Sequence, residues 1–110
     1  MSKGPKEAKE GGLSGRLALT VVEAKLLRDC ETFGSMDPFV EIKLRDMTVK
    51  TETHKSGGKT PKWNQDFSFD VQDGSEEMKF TVFDYEKMKS HDVVCEGTIK
   101  MSQLCLGLDN

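Results

Sequence analysis

Hydrophobic positions begin to alternate at Gly15 and recur in short bursts as far as Met101. Leu17, Leu19 and Val21 come every second residue, and Ala24, Leu26 and Leu27 extend the run. A period of two lines up side chains on one face of an extended chain, so this segment reads as a half-buried strand. Arg28 to Met36 form a loop. Pro38 then opens a second strand, where it removes only a terminal ladder donor, with Phe39, Ile42 and Leu44 set among Val40, Glu41 and Lys43. Met47 to His54 place Val49 among Lys50, Thr51, Glu52 and Thr53, a β-branched but polar pattern that predicts a third strand near a sheet edge. Ser56 to Thr60, with Gly57-Gly58, end it in a turn.

Trp63, Phe67, Phe69 and Val71 predict a fourth strand, Asp73-Gly74 a turn, and Met78, Phe80, Val82 and Phe83 a fifth strand. A loop from Asp84 to Asp92 leads into Val93, Val94, Ile99 and Met101, a sixth strand interrupted at Glu96-Gly97, where a bulge is expected. No segment shows helical spacing, so no helix is expected. Short strands at regular intervals with turn signals between them predict an all-β antiparallel sandwich.

A chain of 110 residues holds one domain with a modest core. Residues 1–14, mostly lysine, glutamate and glycine, read as a flexible polar tail, and residues 15–110 as the folded domain. The formal net charge of -3 disfavours a general nucleic-acid binder. Cys30, Cys95 and Cys105 are an odd set without CxxC spacing, which suits thiols in a reducing compartment. No run reaches the roughly 18 apolar residues of a membrane span, and no signal-peptide core appears at the N-terminus. The expected location is cytoplasmic, with any membrane contact peripheral.

Chemistry enters through two loops. The first carries Asp29, Glu31 and Asp37, the second Asp84, Glu86 and Asp92, and each follows the end of a core strand. Hard divalent cations take about six to eight oxygen ligands, which irregular acidic loops supply from carboxylates and carbonyls. Polar surface loops are also acidic by chance in a chain with 19 carboxylates. The segments around these acids separate the two readings: Gly34-Ser35-Met36-Asp37-Pro38-Phe39-Val40, then Pro61-Lys62-Trp63-Asn64-Gln65-Asp66-Phe67-Ser68-Phe69, then Phe83-Asp84-Tyr85-Glu86 through Asp92 to Glu96-Gly97.

In these motifs, taken in this order, Gly15 to Leu104 resembles the C2 domain, the calcium- and phospholipid-binding β-sandwich. The resemblance implies that Glu31, Asp37, Asp84, Glu86 and Asp92 hold Ca2+, with glutamate at 31 and 86 where the family usually has aspartate. It implies that the ion accepts lipid phosphate oxygens, and that loop-tip residues, here Phe33 and Met88, enter the membrane boundary. It also implies a basic, phosphoinositide-binding face, onto which Lys50, Lys55, Lys59 and Lys62 fall beside His54. Solvated edge lysines that deter strand pairing are the commoner explanation of such a cluster. The family fold has eight strands, so the last ones are expected to be missing here. An uncovered edge then predicts homo-dimerisation by strand exchange or a loosely ordered end.

Other signals fail on inspection. Gly57-Gly58-Lys59-Thr60 lacks the earlier glycine of a phosphate-binding loop, and Pro61 blocks the helix that must follow. Asp84 to Cys95 is no EF-hand loop, having Lys89 in place of glycine and Cys95 in place of glutamate. His54 and His91 lie far apart, and no nucleophile elbow or zinc spacing is present, so an enzyme is not expected. The leading expectation is a calcium-dependent module for anionic phospholipid membranes. The alternative is a calcium-independent adaptor that binds a protein partner or a phosphoinositide.

Overall fold

The computed structural model describes residues 14–31 and 33–107, with side chains as far as Leu104. The tail expected over residues 1–14 therefore lies, apart from Ser14, outside the described residues, as does the Cys105 side chain. Six strands form in sequence: β1 (Gly15–Glu23), β2 (Pro38–Leu44), β3 (Met47–Lys50), β4 (Lys62–Val71), β5 (Glu77–Asp84) and β6 (Asp92–Lys100). A helix, α1 (Met101–Gly107), follows them. β1 and β4 make a two-stranded sheet, while the other four make a sheet in the order β3-β2-β5-β6, every pairing antiparallel. The all-β antiparallel sandwich predicted from period-two patterning is the observed architecture.

The alternation produces the core directly. Val40, Ile42 and Leu44 of β2 face inward with Met78 and Val82 of β5, and meet Phe69 and Val71 of β4 across the sandwich. The Trp63 indole N–H donates to the Pro38 carbonyl at 3.0 Å and ties the two sheets together. Two strands cannot cover four at a spacing of about 4.8 Å per strand. Leu17, Leu19 and Val21 of β1 are accordingly only half-buried, and on β6 Cys95 and Gly97, paired with Val82 and Phe80, stand exposed.

Several expectations move. The first strand ends at Glu23 rather than Leu27, because the chain leaves the sheet to bond residues 59–61: Ala24 N–H donates to the Pro61 carbonyl and Leu26 N–H to that of Lys59. The third ends at Lys50 rather than His54, where the Thr51 hydroxyl takes the Val40 amide at 2.9 Å and so replaces regular ladder geometry. The bulge in β6 falls at Val94, between the pairs Val82↔Cys95 and Phe83↔Val93, while Glu96 and Gly97 pair regularly. A second bulge lies in β4, where Asn64 adopts φ 49°.

Met101, expected as the end of a strand, instead starts α1. Its amide donates to the Glu76 carbonyl and that of Ser102 to Gly74, so the turn between β4 and β5 satisfies the first donors of the helix. A helix of seven residues is too short to show a period in sequence. Cys30 and Cys95 are free thiols. No helix among the described residues is long and apolar enough to cross a membrane.

Candidate cation site at the loop end

Strand register assembles the acidic end. Pro38 pairs with Asp84 across β2 and β5, and Asp84 with Asp92 across β5 and β6, so Asp37, Asp84 and Asp92 stand at neighbouring strand ends. Asp37 N–H donates to Asp84 Oδ1 at 2.8 Å, and Tyr85 N–H to the Asp37 carbonyl at 3.0 Å. The loop before β2 brings in Glu31, whose amide donates to Asp29 Oδ1 at 2.9 Å. The segment between β3 and β4 braces that loop, with Gly58 N–H on the Met36 carbonyl and Ser56 N–H on Asp37 Oδ1.

Glu31, Asp84 and Glu86 each direct one carboxylate oxygen into a group whose atoms all lie within 4.8 Å of one another. Asp84 is fully buried, and its Oδ2 receives no hydrogen bond. A buried polar atom without a partner costs roughly 1–3 kcal/mol, so the fold tolerates a penalty here. Three carboxylates this close resist full ionisation. Glu31 is accordingly pushed up to about 7, first because only its protonated form can donate to Asp84, then by the Asp84 charge, desolvation and Glu86. In the fully ionised state this cluster has oxygen donors, surplus negative charge and one buried unused lone-pair set. That donor set fits a hard cation such as calcium.

Of the five predicted ligands, three therefore converge. Asp37 lines the same cleft, of about 630 Å³, but one of its oxygens already accepts the Ser56 amide. Asp92 stands outside the three-carboxylate group, with Oδ2 3.9 Å from Lys89 Nζ. The predicted tip residues both stand open to solvent: Phe33 is 88% and Met88 92% exposed. Leu27, read from sequence as part of a strand, is exposed at 91%. Its signal was the adjacent pair Leu26-Leu27, since two successive side chains of an extended chain cannot face one core.

The basic residues divide. Lys55 and Lys62 line a cleft of about 480 Å³ with His54 and Trp63, and Lys50 and Lys59 do not line it. Lys50 Nζ lies 6.0 Å over the Phe39 ring. Lys55 also lines the acidic cleft, as does Lys87. Both histidines, which lack zinc spacing, prove to be loop supports: His54 Nδ1 accepts the Lys62 amide at 2.9 Å and His91 Nδ1 the Glu86 amide at 2.8 Å.

Comparison with known proteins agrees with this architecture. The family model of the C2 domain matches residues 15–110. The 16 kDa phloem protein 2 of Arabidopsis thaliana is 36% identical over 87 residues, which is 79% of this chain and 59% of that protein. A C2 domain of a plant extended synaptotagmin 1 superposes with a TM-score of 0.72 at 31% identity, covering 81% of this chain and 70% of that one. A C2 domain-containing protein from a putative elicitor-responsive gene gives 0.71 at 32% identity, over 97% of this chain and 75% of that one. The chain thus spans about three fifths of a curated relative that it matches, and its fold is that of a C2 module, not a catalytic one. Six antiparallel strands in this order, the loop-end acids and the family match together make this chain a member of the C2-domain family.

Proposed function

We propose that the chain is a calcium-dependent module that attaches peripherally to anionic phospholipid membranes on their cytoplasmic side. The observation that carries this reading is Asp84 Oδ2, a buried carboxylate oxygen with no partner inside a group of three carboxylates. Glu31, Asp84 and Glu86 would hold the ion, with Asp37 and Asp92 flanking it. A bound divalent cation supplies the positive charge that makes this end attract lipid phosphates. The chain's own residues do the rest: Phe33 and Met88 offer apolar tips for the headgroup boundary, and Lys55, Lys87 and Lys89 favour a negatively charged surface.

Co-sedimentation with phosphatidylserine-containing vesicles tests the proposal. Calcium should increase the bound fraction, Glu86→Gln should abolish that increase, and Phe33→Ser with Met88→Ser should weaken binding while sparing calcium uptake. Binding equal in calcium and in chelator rules the reading out.

A second reading has its own support, because Ser56 and Lys89 already engage Asp37 and Asp92, and Lys55 and Lys62 share a cleft. In it the chain is a calcium-independent adaptor for a phosphoinositide or a protein. Its mark is a salt-sensitive, calcium-insensitive interaction lost on neutralising Lys55 and Lys62.

A further inference from the structure

On β2, Val40, Ile42 and Leu44 belong to the core, so Phe39 lies on the opposite, outer face of the four-stranded sheet. Phe83 is its cross-strand partner on β5, and the two rings stack with centroids 5.2 Å apart. The His91 imidazole stands edge-on to Phe39 at 5.2 Å and to Phe83 at 6.3 Å, while Tyr85 covers it at 4.8 Å. Rings from two strands and one loop thus fix the orientation of a single side chain.

That orientation is used. His91 Nδ1 accepts the Glu86 amide at 2.8 Å, across the turn of the loop between β5 and β6. Glu86 is one of the three residues whose carboxylates converge. Its neighbour Tyr85 both covers the imidazole and bonds the Asp37 carbonyl through its own amide. The loop otherwise runs through Lys87, Met88, Lys89 and Ser90, all exposed. A loop of exposed residues supplies little packing of its own, so its shape beside the acids depends on this bond and on the rings that aim it.

We propose that His91 is a positioning residue: held by Phe39, Phe83 and Tyr85, it fixes the Glu86 backbone and so sets the cation-accepting shape of the second acidic loop. The inference rests on the proposed calcium role, but the latch itself exists without any ion. Supporting groups behind metal ligands usually matter to affinity rather than to folding.

The experiment compares His91→Asn, whose Oδ1 branches from Cγ as Nδ1 does, with His91→Phe, which keeps a ring and loses the acceptor. His91→Leu is a second acceptor-free variant in case the phenylalanine does not fold. Amide exchange of Glu86 is read by NMR in chelator, and calcium affinity by calorimetry. Loss of the acceptor should speed Glu86 exchange and weaken calcium binding, each by about five- to tenfold, whereas His91→Asn should stay within about twofold of wild type. If all variants match wild type, or if His91→Asn fails as badly as His91→Phe, the positioning role is overturned. If wild type takes up no calcium, the functional reading falls, and the exchange data alone decide whether the latch exists.

Discussion

Replacing Asp84 by asparagine should make the metal-free protein more stable and at the same time remove its response to calcium. Asp84 Oδ1 accepts the Asp37 amide at 2.8 Å, and an asparagine Oδ1 in the same place keeps that bond. The second oxygen is buried and receives nothing, a state that costs roughly 1–3 kcal/mol. In the variant this atom becomes an NH2 group that can donate to Glu31 or Glu86, and one of three crowded charges disappears. A gain of about 1–2 kcal/mol follows, which in a domain of this size raises Tm by about 4–8 °C for each kcal/mol. Under the proposed function wild type would recover the deficit by binding calcium, since a ligand at about 100 times its Kd adds about 2.7 kcal/mol. Thermal unfolding followed through Trp63 at pH 8, where Glu31 is largely ionised, should rank Asp84→Asn above wild type in chelator and below it in saturating calcium. The reasoning is refuted if the variant melts at or below wild type in chelator, or if calcium raises both proteins equally.

Other outcomes follow from the same geometry. Glu31 is raised to about 7 in the fold, so the native state binds more protons than the unfolded chain between its ordinary carboxyl range and about 7. Metal-free stability should therefore fall as pH rises through that window, and Glu31→Gln should flatten the dependence in denaturant titrations at a series of pH values. By the same linkage, calcium uptake near pH 7 should release a proton, visible as a buffer-dependent heat in calorimetry. Gly57→Ala places a Cβ 2.8 Å from the His54 ring, which should disturb the bond to Lys62 and cost about 1–3 kcal/mol in chemical denaturation. The outer edge of β1 has no strand partner among the described residues, and strand exchange there should give a sedimenting species heavier than 12.3 kDa. A monomer with protected β1 amides would contradict that last expectation.

Sequence by itself determined the strands and their inward faces, because a period of two is a local property: Leu17, Leu19 and Val21, or Phe67, Phe69 and Val71, state their face without reference to any partner. It also identified the two acidic loops, since carboxylates of the five-residue set flank strand ends that the same pattern reveals. It could not tell that Glu31, Asp84 and Glu86 converge while Asp92 stands aside, for that depends on register between β2, β5 and β6 and on the path of a loop. Nor could it place the bulge at Val94, set by pairing with β5, or find α1, whose first amides are satisfied by carbonyls of a turn about 25 residues earlier. His91 shows the division most sharply. In sequence it is a lone histidine next to an aspartate, and only the packing of Phe39, Phe83 and Tyr85 around it turns its nitrogen toward the Glu86 amide. Local patterning fixes which face a residue takes; long-range pairing decides what it meets there.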